Sequence, residues 1–335
     1  MKKIVKFSKP YDNEIFKIKK DFYENNLSNL KSIIKINQIY KSQKLRKYCQ
    51  NCNYRISKKD FNSFKISYSF CKKCGHLNGI YQITNDFGYK LYKGSKSKLY
   101  SLNYIKDYNL RVKKIYIPKV NFLKEVLKEK ISILDIGSGA GHFVKACEKK
   151  NILATGYESN KHLVDLSKKF LKKNKMNLIN MNDLDKIILK NKYDCVSLIG
   201  VLEHLQNPNK ILNSFVKSQS KYLYFSVPLF SFSTFIEHSN QDIFPRQLGG
   251  GHTHLYTKES IYYQARKKNL KIIGEWWFGT DFADLYRTLI NKFSINSSKL
   301  FKEKFDNFFL KYINEFQKVL DKNKRPSEVH IVLKK

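Results

Sequence analysis

Acidic residues are scarce in this 335-residue chain: 28 Asp and Glu stand against 64 Lys and Arg, a formal net charge of +36. The shortage invites a polyanionic partner such as nucleic acid. Residues 1–118 hold 27 basic and 7 acidic side chains, so +20 of the +36 lies toward the front. Arginine is scarce too, and Lys, Asn, Ile, Tyr and Phe are enriched together, a set that shares A/T-rich codons. Genomic base bias is therefore the simpler source of these lysines, and it requires no polyanion. Long apolar runs are missing. The nearest, Tyr222 to Ile236, carries serines and a proline and falls short of the roughly 18 to 20 residues a membrane helix needs. The lysines near the start precede no apolar stretch of the secretory type, so a cytoplasmic protein is expected.

Cysteine is sparse, with six in all, but four of them come in two pairs. CQNC and CKKC place Cys49, Cys52, Cys71 and Cys74 in a C-x2-C-x18-C-x2-C pattern. In a reducing compartment that spacing points to a zinc ribbon rather than to two disulfides. Asn53 and Gly75 follow the pairs, and both residue types tolerate the left-handed backbone a metal knuckle needs. Four thiolates leave no open coordination position, so the expected zinc is structural. Cys147 and Cys195 sit in apolar context and read as core residues.

The stretch with the most chemical content is ISILDIGSGAGHFVKACEKKNILATGYE, Ile131 to Glu158. It reads as strand, glycine loop, helix and strand. Gly137, Gly139 and Gly141 let the chain turn sharply and let a ligand approach the main chain, while the following helix start offers free N–H groups. Glu158 falls 21 residues after Gly137, the distance at which an acid in a βαβ unit meets a ribose diol. The loop is G-x-G-x-G with Asp135 two residues ahead, whereas dinucleotide enzymes use G-x-G-x-x-G. An acid there suits a ligand with an amino group.

On these residues ILDIGSGAG resembles motif I of the class I methyltransferases, which use S-adenosylmethionine (SAM). The resemblance implies an α/β fold with a Rossmann-like seven-stranded sheet whose last strand, Glu328 to Leu333, runs antiparallel. It implies cofactor contacts from Asp135, Gly137, Ser138, Gly139, Gly141 and Glu158, and from Asn182 or Asp183 on the adenine. Asp183 reads equally as a helix N-cap. IGVLEH, with Gly200, Glu203 and His204, resembles motif IV of small-molecule methyltransferases, including the O-methyltransferases of ubiquinone biosynthesis. His204 reads either as a base or as a packed histidine.

The expected organisation is a basic segment over 1–45, a zinc-ribbon module over 46–80, a connector over 81–118 and the SAM domain over 119–335. In the connector Tyr100, Tyr104 and Tyr108 recur every four residues, as one helix face would have them. The SAM domain carries an irregular insertion over 229–256 and a helical one over 281–322. A long loop on the ligand side is usually functional. A cysteine-rich module ahead of a SAM domain, then F-I-E-H after the fifth strand, resembles the nucleotide-sugar C-methyltransferases. That likeness implies a small, nucleotide-linked acceptor and makes His238, His254 and Glu237 candidate proton-handling groups, although Phe235 stands where that family has tyrosine. An RNA methyltransferase gripping phosphates with its basic front is the alternative, and a non-catalytic SAM-binding interaction protein is a third reading. No motif sets an oligomeric state.

Overall fold

A computed structural model describes residues 2–19, 23–56, 59–84, 87–88, 106–249 and 251–335, without the side chains of 294–296. In chain order the strands are β1 Ile4–Phe7, β2 Phe61–Ser63, β3 Ile66–Phe70, β4 Leu77–Gly79, β5 Ser132–Ile136, β6 Leu153–Glu158, β7 Lys175–Leu178, β8 Cys195–Ile199, β9 Tyr222–Pro228, β10 His254–Leu255, β11 Lys271–Phe278 and β12 Glu328–Lys334. Eight of them form one sheet in the order β1-β11-β12-β9-β8-β5-β6-β7. Only β12 runs against its neighbours. The mostly parallel α/β sheet and its antiparallel closing strand match the expectation.

The count of seven strands needs correction. Ile4 to Phe7 adds an eighth strand beside β11, parallel to it, in a segment to which the sequence assigned no element. Four residues are too few to show a period, and this strand exists because β11 offers an open edge. Its start is pinned electrostatically. Glu275, whose side chain is fully buried, meets Lys3 at 2.5 Å and Lys324 at 2.5 Å. Burial alone would raise its pKa, yet hydrogen bonds from Lys3, Lys324, Tyr262 and Trp277 hold it at about 2, below the ordinary 4.5. A depressed carboxylate contributes stability that is complete above the unfolded pKa and is lost as pH falls through the folded one. Glu275→Gln is therefore expected to be less stable than the parent at pH 7, with the gap closing from about pH 4.5 toward 2. Urea midpoints across that range read it, and a gap that does not change with pH would refute the ion-pair account.

Why the central strands are buried is visible in their composition. β5, β8 and β9 are aliphatic and aromatic runs, and helices cover both faces, as parallel sheets require. One core gathers Phe122, Ile133, Phe143, Ala154 and Trp276; the other gathers Leu134, Val196, Leu223, Trp277 and Ile331 on the opposite face. The helix His142–Lys149 carries β5 to β6, and Gly156 lets it sit close: a Cβ there would stand 2.9 Å from Val144 of the helix and would collide with Met176 Sδ of β7.

A second sheet joins distant parts of the chain, in the order β10-β4-β3-β2. Three of its strands belong to the cysteine-rich stretch, and the fourth, β10, comes from the insertion after β9. The core beneath it combines Tyr40 of the helix Asn26–Lys41, then Phe64, Ile66, Tyr68 and Leu77, with Leu248 and Leu255 of the insertion. The insertion is also less irregular than expected. Ser231 opens the helix Phe232–Ser239 through a capping box with Thr234, a signal present in the text as S-x-x-T. The helical insertion forms as Asp281–Asn296 and Lys299–Lys322. Its first residue, Asp281, is fully buried and accepts hydrogen bonds from Ser231, Ser233, Gln317 and Ser327. That carboxylate ties the two insertions to β12.

Candidate active site

The glycine loop lies between β5 and the helix that follows, at the carboxyl ends of the parallel strands, where open α/β sheets bind ligands. Gly137, Gly139 and Gly141 have φ of +68°, +54° and +76°, conformations that L side chains rarely adopt. A Cβ on Gly137 would also stand 2.7 Å from the Val201 side chain, so the valine after Gly200 packs into the space Gly137 leaves open. Gly139 N donates to Glu158 Oε2 at 2.9 Å, and Asn160 N to Oε1 at 2.9 Å. Ser159 Oγ also donates to Oε1, at 3.3 Å, so Glu158 stands at the end of β6 facing the loop with a lone pair left over on Oε2. Ser138 Oγ donates to the carbonyl of Asp135.

Asp135 is buried and receives Ser197 Oγ at 2.6 Å. Burial pushes its carboxyl up to about 6, against the pull of Ser197 and Ser138. A buried acid in that state is completed by a cationic ligand, which would restore its charge. Asn182 and Asp183 lie in the short turn Met181–Asp183 after β7. The Ile179 N–H ties that turn to the end of β6 by donating to the Glu158 carbonyl at 3.0 Å. Asp183 caps nothing with its side chain and instead pairs with Lys186 at 2.9 Å.

The loop after β8 brings Gly200, Glu203 and His204 to the same rim. Gly200 has φ +66°. Glu203 is buried, and among the described residues its Oε2 accepts no hydrogen bond; burial pushes its carboxyl up to about 8. His204 Nε2 lies 3.9 Å from Glu203 Oε1, and its ring faces His252 at 5.3 Å. Glu203, His204 and His252 offer ligand atoms within 4.8 Å of one another, a donor set able to hold a cation. Burial first, then His252, holds His204 down at about 3, so its imidazole is neutral at physiological pH.

The four candidate catalytic side chains have four different sets of neighbours. Glu237 is buried and accepts N–H bonds from Arg246, Gln247 and Leu248 at 2.7 to 2.9 Å, which folds the insertion around it. His238 is exposed and meets the Phe61 ring edge-on. His254 is 1% exposed, and its Nδ1 sits 2.8 Å from Nε2 of His76, behind the β10–β4 pairing. Of the four, His204 stands on the rim with the glycine loop, with a quarter of its side chain exposed.

Tyr100 and Tyr104 lie outside the described residues, and Tyr108 stacks on His142 and Phe170 beside the glycine loop, donating to the Ala140 carbonyl. The cysteines converge: Cys49 and Cys74 sulfurs are 3.8 Å apart, Cys52 and Cys71 3.4 Å. A tetrahedron with metal–sulfur bonds of about 2.3 Å has edges of roughly 3.8 Å. Asn53 and Gly75 have φ of +59° and +72°, and each donates its N–H back to the first cysteine of its pair. Residues that sequence reasoning passed over include His76, Lys9, Lys19, Lys119 and Arg246. Nothing in a lysine-rich text marks three lysines out from the rest.

Residues 108–275, half of the chain, match the family model described as "Methyltransferase domain". The chain belongs to this methyltransferase family. It is an enzyme that uses SAM. Solved structures similar to the methyltransferase include a SAM-dependent methyltransferase from Archaeoglobus fulgidus, at 14% identity over 74% of this chain and 97% of that one, TM-score 0.40. The plantazolicin methyltransferase BamL with a triazolic analog and SAH matches at 14% identity, 74% and 94% coverage and TM-score 0.45. Magnesium protoporphyrin IX methyltransferase from Synechocystis PCC 6803, with SAH, matches at 15% identity, 50% and 77% coverage and TM-score 0.41. No curated protein matches the chain significantly. Among the described residues no helix is long and apolar enough to cross a membrane.

Proposed function

We propose that the methyltransferase acts on a small molecule, a nucleotide-linked sugar or a related precursor, and that a structural zinc in the four-cysteine cluster shapes the acceptor side of its site. The observation that carries this reading is the second sheet, in which β10 of the insertion pairs with β4 of the cysteine-rich stretch. The cysteine module and the ligand-side insertion are thereby one body. Gln50 extends the junction to the motif IV loop, donating to the carbonyls of Leu205 and Gln206, while Asn51 donates to the carbonyl of Ser260.

SAM bound at the glycine loop supplies an electrophilic methyl group. Around it Asp135 receives the amino end, Glu158 the ribose hydroxyls, and Asn182 or Asp183 the adenine. Positioning of an acceptor beside the cofactor accounts for most of the rate such a reaction needs. We assign the acceptor's proton to His204, which stands on the rim beside Glu203 and His252; burial makes its imidazole a weak base, so an ionised Glu203 has to support the imidazolium as it forms. His254 is a positioning residue that acts through His76 on the β10 junction, and Glu237 holds the loop 246–248.

Methyl-labelled SAM incubated with the full chain, with a nucleotide-sugar extract in one reaction and deproteinised RNA in another, tests the reading. Label is expected in the small-molecule fraction. Label confined to RNA would overturn it and make the basic front a nucleic-acid surface.

A further inference from the structure

We infer that the acceptor carries an anionic group, phosphate or carboxylate, and that Lys9, Lys19, Lys119 and Arg246 hold it at the carboxyl ends of β1, β9 and β11; this rests on the methyl-transfer reading above. Each cation is tied to that rim. Lys9 follows β1 by two residues, and its ammonium lies 5.5 Å from the ring centre of Phe278, the last residue of β11. Arg246 donates to Thr280 at 2.7 Å, just beyond β11, and to Asp284 at 2.9 Å. Lys119 lies 3.7 Å from Glu328, the residue paired with Pro228 at the end of β9. Lys19 rests over the Tyr11 ring at 5.5 Å and is within electrostatic reach of Arg246 and Lys9.

The charges do not balance. Facing these four cations are Glu328, shared with His330, and Asp284, shared with Ser233, while Asp12 is held by Lys114. Among the described residues neither Lys9 nor Lys19 makes an ion pair. Both are half-buried. Base bias in a genome scatters lysines over solvated surfaces, but it does not account for sheltered ammonium groups that make no direct ion pair among the described residues and repel one another. Burial, then Lys119, lowers Lys9 to about 8, and burial, Arg246 and Lys9 push Lys19 well down. Ring faces of Phe278, Tyr11 and Tyr116 support the ammonium groups without neutralising them. An anionic ligand would complete the set.

The site also adjoins the chemistry. Lys119 acts electrostatically on both Asp135 and Glu203, so an anion held there has its remainder within reach of the cofactor rim.

Calorimetric titration of the full chain preloaded with SAH tests the inference, with inorganic pyrophosphate in one arm and succinate in the other. At least one anion is expected to bind, and the Lys9→Gln/Lys19→Gln variant is expected to weaken it roughly tenfold or more. SAH affinity should not change, and the thermal midpoint should hold or rise, because a repulsion has been removed. Pyrophosphate binding identifies a phosphorylated acceptor and succinate binding a carboxylate. Binding of neither anion, equal binding to parent and variant, or a fall in thermal midpoint with anion binding intact would each overturn the inference. A chain that takes no SAH removes the methyl-transfer reading instead, and the same two anion arms, run without SAH, still judge the lysines.

Discussion

Chelating the zinc proposed for the Cys49, Cys52, Cys71 and Cys74 cluster, or replacing Cys71 with serine, is expected to abolish methyl transfer while SAH stays bound. The two halves of that outcome have separate causes. Structural zinc sites in small modules contribute about 10 to 16 kcal/mol of apparent binding free energy, which doubles as folding free energy. The core under the second sheet is small, and Leu248 and Leu255 of the insertion are part of it. Loss of the metal therefore releases β10, the His76–His254 contact and the Gln50 bonds to the motif IV loop together. The glycine loop, Asp135 and Glu158 stand on β5 and β6, whose packing does not involve the four clustered cysteines. Metal analysis, a thermal scan and SAH titration on one preparation read all three quantities. Full turnover by the metal-free chain would show that the module does not shape the acceptor site.

Glu158→Ala is expected to weaken SAM binding by roughly a hundredfold, since hydrogen bonds to a charged group contribute about 1.5 to 3 kcal/mol each and a ribose diol makes two. Alanine also leaves Gly139 N and Asn160 N without their acceptor, so part of the loss comes from a loosened loop. Glu158→Gln separates the parts. Glutamine keeps one carbonyl oxygen for the loop and gives up the charge, and its affinity should fall between parent and alanine. SAH titration measures each variant, with the thermal midpoint as a control for folding. An unchanged dissociation constant in the alanine variant would remove Glu158 from the cofactor site.

Local text carried the glycine-loop half of this enzyme. Asp135, the three glycines and Glu158 lie within one βαβ unit, where a turn needing positive φ and a strand ending in an acid are both visible in one short stretch. The cysteine pairs were equally legible, because Asn53 and Gly75 mark the knuckles. The acceptor half was not. Glu237, read as a candidate proton-handling group, accepts from three backbone N–H groups nine to eleven residues further on. A carboxylate that folds a loop and one that moves protons look alike in a string of letters.

By itself, the sequence determined the backbone geometry of the glycine loop, the fold class and the meeting of four thiols, because each follows from residues close together in the chain or from a fixed spacing. Tertiary structure alone decided that Ile4 to Phe7 is a strand, that β10 joins the cysteine-rich sheet, and that Lys9, Lys19, Lys119 and Arg246 share one rim. The physical reason is the order of the sheet. Crossovers bring the ends of β1, β9 and β11 side by side from opposite ends of the chain, and no local period records which strand edges will meet.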